Sequence, residues 1–396
     1  CSASDTCSLD ACDSGPVAAA GSITSSGDSG IWGEGGGNFG AIVNNGTIDV
    51  NAHGIYLYGN VGGAGVINNG VIKSDSWHGI YLYQTNAATV RNTGTIYAYD
   101  TGIYISNYDG GAIGGTIGSV VNSGCIIAGD KGIYINTAAI SGSVTNSGRI
   151  QSYESGIYIN GSEVGGSVTN TGTISSSNGR GVYISDTDVG RNVSNSGTIN
   201  SDEAGIYISD STVGGNGTNS GQINAGDRCI YIAYGSVIEG SVTNTGVINS
   251  YEAGFYIADS EIGGSVVNSG QIFSEDSKGL YVFSTAVGGS VRNSGDIISY
   301  GAGIYVGDGS TVEGDVVNSG NIVSTDYHGV YVADSEVLGS VINSGVIQAN
   351  YDGIYLRDTD VGGSVINSGT IQAGYQGIYI SDGSYIEGNV SNSGLI

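Results

Sequence analysis

The chain contains no methionine, one proline (Pro16), two tryptophans, four phenylalanines and three histidines among 396 residues. Charge is scarce at 12% of residues, and cations are the scarcer sign: ten Lys and Arg stand against 36 Asp and Glu, a formal −26. Each shortage excludes something. One proline and no three-residue glycine period exclude collagen. Ten cations beside 36 anions would repel phosphate, which argues against nucleic acid as a partner. No apolar run approaches 18 residues, so no transmembrane helix is expected. Leu, Lys, Arg and Met are thin on the ground, which leaves few good helix formers. A translated chain starts with Met, so a chain beginning at Cys1 is expected to be processed. Removal of an export signal is the simplest route, giving an extracellular or cell-surface location. Five cysteines fit an oxidising compartment.

What is present points one way. Glycine is abundant, 73 residues or about 18% against a usual level near 7%. Hydrophobic residues make up 39%, enough to bury surface and exclude disorder. Ile, Val, Thr and 27 Tyr predict an all-β fold.

The order of those residues is a repeat. Asn-x-Gly-x-Ile recurs with its Asn at 44, 68, 92, 122, 146, 170, 195, 219, 244, 268, 293, 318, 343, 367 and 392. Steps are 24 or 25 residues, apart from one of 30 between Asn92 and Asn122. About ten residues after each Asn comes Gly-Ile-Tyr-Ile or a close variant, and Gly-Ser-Val-x-Asn closes the unit. Three short apolar segments per unit, each bounded by Gly, Asn or Ser, predict one coil of a right-handed three-sided parallel β-helix with about 15 coils. At roughly 4.8 Å per coil, fifteen coils give a rod about 70 Å long. Alternation turns Ile347, Ile354, Leu356, Val361 and Val365 inward in one coil, and Ile371, Ile378, Ile380, Ile386 and Val390 in the last full one. The chain divides into a cysteine-containing cap or junction, residues 1–20, and a repeat domain, residues 21–396. The long step places an insertion between Asn107 and Gly118, expected to bulge without breaking the ladder, and Gly35, Gly36 and Gly37 mark a second irregular corner.

Stacking makes every repeated residue a ladder. The Asn residues, Asn146, Asn170, Asn195, Asn219, Asn244, Asn268, Asn293, Asn318, Asn343, Asn367 and Asn392 most regularly, are expected to pair amides along the stack. The glycine that follows is expected to supply a positive φ. Tyr56, Tyr81, Tyr104, Tyr134, Tyr158, Tyr183, Tyr207, Tyr231, Tyr256, Tyr281, Tyr305, Tyr331, Tyr355 and Tyr379 share one slot, with Trp32 in the first coil. If the flanking Ile residues face inward, these rings face outward. They then either stack on one another or offer a lateral surface to another rod, a glycan or a host surface. A patchier set, Tyr99, Tyr153, Tyr251, Tyr300, Tyr327, Tyr351 and Tyr375, lies four or five residues earlier. Three residues after the ladder tyrosine come Asp186, Asp210, Asp259, Asp308, Asp334, Asp358 and Asp382, the last four in consecutive coils. Carboxylates at coil spacing repel, which raises pKa values or recruits a cation, so calcium is a weak candidate there. The calcium-binding Gly-Gly-x-Gly-x-Asp nonapeptide is absent, and a solvated acidic edge is the plainer reading.

No catalytic residues are expected. His53, His78 and His328 each precede the Gly of the tyrosine strand without a nucleophile or metal-ligand spacing. The acids form regular ladders, unlike the paired cluster of a glycosidase. Cys125 and Cys229, about four coils apart, lie too far from each other for a disulfide. Cys1, Cys7 and Cys12 cluster outside the repeat, where two could pair and the third could bond another subunit or, at Cys1, carry a lipid. Asn392 to Ile396 begins a coil whose strand edges are open, a template for another chain. Residues 1–20 with Leu395 and Ile396 are therefore the expected subunit junction of a head-to-tail filament.

The run Val-x-Asn-Ser/Thr-Gly-x-Ile followed by Gly-Ile-Tyr-Ile resembles the degenerate repeats of bacterial autotransporter passenger domains and related haemagglutinin-like adhesins, from Gly21 to Ile396. The resemblance implies export, a cell-surface or secreted location, and an adhesive or structural role. No translocator barrel and no recognisable N-terminal secretion domain accompany it. Two readings follow: a filament-forming structural subunit, or a cleaved adhesin passenger contacting glycan or host through its tyrosines or the Asn107–Gly118 loop.

Overall fold

Segments of three or four residues with alternating Ile or Val cannot bury both faces alone, and in the computed structural model they do so by stacking. The structure describes residues 7–9, 17–19, 21–109, 112, 113 and 115–396. Among them there is no helix. The chain forms two compact units, one of Cys1–Asn192 with Gly197–Asp202, the other of Val193–Ser196 with Glu203–Ile396. Each is a β-solenoid with three parallel sheets, and together they hold about 15 coils.

A coil of the first unit runs Arg149–Ser152, then Ile157–Asn160 and Glu163–Val164, then Val168–Asn170. A coil of the second runs Asn321–Ser324, Val330–Ala333 and Glu336–Val337, then Val341–Asn343. We call the three sides the isoleucine sheet, the tyrosine sheet and the asparagine sheet. Register is kept residue by residue. Tyr104 faces Tyr134 and Asn122 faces Asn146 in the first unit; Tyr305 faces Tyr331 and Asn318 faces Asn343 in the second.

Five aliphatic side chains per coil form the core. Ile150, Ile157, Ile159, Val164 and Val168 are buried, as are Ile347, Ile354, Leu356, Val361 and Val365. In the last coil only Ile371 is buried, while Val390 is 53% exposed. The asparagine sheet's outward column carries no carboxylate: Val43, Ile67, Arg91, Val121, Thr145 and Thr169 in the first unit, and Ser194, Thr218, Thr243, Val267, Arg292, Val317, Ile342, Ile366 and Ser391 in the second.

Three features differ from expectation. The tyrosine side is bent, and from Ile133 onward it has two strands per coil joined through one or two residues in the left-handed region. Pairing also begins before residue 21, since Cys7–Leu9 pairs with the strand at Ile31 and Val17–Ala19 with that at Ile42. The glycines after Asn-x do not supply positive φ; Gly148 and Gly295, for example, are absent from the left-handed set. A Cβ there would overlap the backbone of the preceding coil, so close approach is what demands glycine. The 30-residue step is absorbed by Tyr108–Asp109 pairing antiparallel with Ala112–Ile113, and Asn92 still faces Asn122. The glycine-rich corner is a register shift between Gly33 and Gly37, with Gly35 at φ 80°.

Candidate functional site

The amide ladder has a direction. In the first unit Asn44 donates to Asn68, and so on through Asn92, Asn122 and Asn146 to Asn170, at 2.7–2.8 Å. In the second the chain of donors runs from Asn195 to Asn392 at 2.7–2.9 Å. Every step points toward the C-terminal coil. The same Nδ2 also reaches the glycine carbonyl two residues on, as Asn293 does to Gly295 at 3.0 Å. All but Asn392 are buried, where an unmet amide would be costly.

The tyrosine ladder is a packed element more than an open face. Its rings leave the aliphatic core but cover one another, and Tyr207, Tyr305 and Tyr331 are buried. From Tyr81 through Tyr104, Tyr134 and Tyr158 to Tyr183, centroids are 4.6–5.0 Å apart with planes within 8°. From Tyr231 to Tyr331 the contacts turn edge to face, at 62–90°. Where the residue before the glycine is a cation, it lies over these rings. Lys131 lies over Tyr134 and Arg180 over Tyr183, Arg228 spans Tyr231 and Tyr256, and Lys278 spans Tyr281 and Tyr305. All three histidines occupy the same slot. Burial, aided by neighbouring phenols, pushes the Tyr134 and Tyr281 hydroxyls up to about 12.

The histidines are neutral packing residues. Burial, with His78 adding repulsion at His53, pulls His53 and His78 down to about 4. His78 Nδ1 accepts the Thr101 N–H at 3.3 Å and His328 Nδ1 that of Asp352 at 3.2 Å. His53 Nδ1 is buried without a partner.

The aspartate ladder has a backbone cause that spacing did not reveal. Asp186, Asp210, Asp259, Asp308, Asp334, Asp358 and Asp382 have φ of 46–53°, and each is the bend of the tyrosine side. Aspartate tolerates this region where most side chains do not. The carboxylates take separate partners: Asp308 accepts from the Tyr305 hydroxyl at 3.1 Å, Asp382 from Ser381 at 3.0 Å, and Asp334 pairs with Arg357 at 2.6 Å. Among the described residues no three His, Cys, Asp or Glu side chains form a group that could hold a metal ion. Behind the bends runs a hydroxyl ladder missed from sequence. Ser162, Thr187, Ser211, Ser236, Ser260, Thr285, Ser310, Ser335 and Thr359 donate to carbonyls two or three residues back at 2.6–2.8 Å. For six of the nine the signal was Asp followed, directly or after Gly, by Ser or Thr; Ser162, Ser236 and Thr285 lack the Asp.

Open aromatic surface lies instead on the corner before the tyrosine strand. Tyr99 is 71% exposed and Tyr153 54% in the first unit; Tyr251, Tyr300, Tyr327, Tyr351 and Tyr375 are exposed in the second. Two clefts interrupt this corner, each where a three-residue turn lies between two four-residue turns. Asn51-Ala52-His53 between Gly27-Asp28-Ser29 and Ser76-Trp77 gives one of about 370 Å³. Tyr300-Gly301-Ala302 between Asp276-Ser277-Lys278 and Asp326-Tyr327-His328 gives another of about 390 Å³, also lined by Tyr305, Tyr331 and Arg357.

Cys125 is half-buried and Cys229 buried, both as free thiols. Burial holds the Cys229 thiol well above its usual range. Cys1 and Cys12 lie outside the described residues, as does the side chain of Cys7. Leu395 bridges to Thr370 in parallel and, like Ile396, is exposed. No family model, no curated protein and no solved structure matches the chain.

Proposed function

We propose that the chain is an extracellular structural protein, a solenoid that adds to copies of itself head to tail to form a bacterial surface filament or matrix fibre, without catalysis. The direction of the amide ladder supports this reading. Each coil presents amide donors toward one neighbour and acceptors toward the other, and every coil pairs in the same register. Two copies meeting coil on coil would continue the pattern only head to tail, a heterologous contact that does not close. Electron microscopy and sedimentation across a concentration series test it. Fibres one solenoid wide that lengthen with concentration are expected, and single particles at every concentration would overturn it.

The second reading is an adhesin-type passenger that meets glycan or host surfaces. The exposed corner tyrosines favour it, more than the packed ladder does, because exposed aromatic rows usually have partners. A glycan array with the Tyr99→Ala, Tyr153→Ala and Tyr375→Ala variants checks this, with binding lost as the corner row is removed.

A further inference from the structure

The cleft at Ala52 is unlike the rest of the corner. It is lined by both tryptophans of the chain, Trp32 and Trp77. Trp32 is stacked on Tyr56 at 4.2 Å, and Trp77 is 52% exposed. Three buried side-chain polar atoms among the described residues lack a hydrogen-bond partner, and two of them, Ser29 Oγ and His53 Nδ1, belong to residues lining this cleft. Ser29 is 97% buried, its relative exposure being 3%. The orphaned His53 nitrogen is specific to this coil, since its equivalents at His78 and His328 are satisfied by the next coil's backbone. The cause lies in the turn lengths. The additional residue in the Trp77 corner alters the next coil's path beside His53, and the short Ala52 turn leaves the space between open.

The occupant must satisfy those atoms while covering indole. A hydroxyl can donate to the Nδ1 lone pair of a neutral imidazole and both donate to and accept from Ser29 Oγ, whereas a quaternary ammonium or a hydrocarbon ring has no donor for either. Asp28, exposed at the rim, accepts a further hydroxyl and repels anions. The apolar C–H face of a sugar ring suits an exposed indole, which is amphipathic and pre-ordered. We propose that the cleft between Trp32 and Trp77 binds a neutral hexopyranose residue, its ring against Trp77 and its hydroxyls on Ser29, His53 and Asp28. This rests on the glycan-contact reading and gives it a place and a ligand class.

Both tryptophans line the cleft, so emission excited at the red edge of tryptophan absorption reports this site despite 27 tyrosines. The full chain is titrated with methyl hexopyranosides of gluco, galacto and manno configuration, and with methyl glucuronide, indole and a quaternary ammonium salt. A saturable change with at least one neutral hexoside is expected. Trp77→Ala, with Trp32 still reporting, should weaken it by about tenfold. Ser29→Ala should weaken it several-fold, and the glucuronide should bind worse than the hexoside. No saturable response to any hexoside, affinity unchanged in Trp77→Ala, or a response to indole or the ammonium salt alone would overturn the site. Array binding to glycans that survives Trp77→Ala would remove this cleft and leave the glycan-contact reading standing. No glycan binding by any measure would end both.

Discussion

Two stretches of the tyrosine ladder occupy the same slot in the same register and pack differently. Between Tyr81 and Tyr183 the rings lie parallel; between Tyr231 and Tyr331 they meet edge to face. The tyrosines are identical, and one difference beside them is the residue before each glycine. In the first stretch that slot holds His78, Thr101, Lys131, Ser155 and Arg180, with Lys131 over Tyr134 and Arg180 over Tyr183. In the second it alternates Arg228, Ala253, Lys278, Ala302. Arg228 spans Tyr231 and Tyr256, which meet at 90°, and Lys278 spans Tyr281 and Tyr305, which meet at 74°. Ring geometry thus changes along the ladder together with a neighbouring column, while the register stays the same.

Variants can break or sharpen that contrast. The amide ladder is common to both stretches, so Asn146→Ala and Asn293→Ala should each cost about 3 kcal/mol by leaving neighbouring amides unmet. Urea unfolding measures this, and a clear inequality between the two would mean that ring packing and amide pairing are coupled. Acid should act on the first unit through His53 and His78. Both are pulled down to about 4 from 6.5, so the unfolded chain binds more protons between those values. Stability is full above pH 6.5, falls as pH drops through that window, and levels off below 4. The pair contributes about 2 kcal/mol after allowance for exposure. The His53→Gln, His78→Gln variant should lose that part of the pH dependence, and an unchanged slope would refute it. Arg228→Ala with Lys278→Ala should let the edge-to-face rings relax toward parallel stacking, at a cost of about 1 kcal/mol. Near-ultraviolet circular dichroism reads the rearrangement, and an unaltered spectrum would clear the cations of responsibility. The bends should matter least and equally in both units. Asp186→Gly and Asp259→Gly should each stay within about 0.5 kcal/mol of the parent, since glycine also accepts that φ. A matching loss of calcium-dependent stabilisation would instead restore a metal role for these carboxylates.

Much of the architecture was readable from period and alternation. The 24–25-residue step, five inward aliphatics per coil and the asparagine column all follow from side chains that repeat in kind and position. Backbone conformation was less so. Asp334 and Asp358 looked like an acidic edge because charge is visible in a sequence and a left-handed φ is not. Gly148 looked like a turn glycine because the preceding coil, which crowds it, is 24 residues away in the chain. The Trp77 cleft escaped notice for a related reason: it depends on the lengths of three successive turns, and no single residue announces it. In the sequence, Trp32 is a replacement for tyrosine in the ladder slot.

The direction of the amide ladder also has a mechanical meaning. Within each unit, hydrogen bonds between coils lie along the solenoid axis, while the covalent chain winds around it. Tension along the axis would therefore load those bonds in series, and the outermost coil would yield first. Each coil released frees 24 or 25 residues, about 80 Å of extended chain. A single molecule drawn out in this way should lengthen as a staircase of nearly equal treads, one per coil, with the Asn92–Asn122 coil giving the longest.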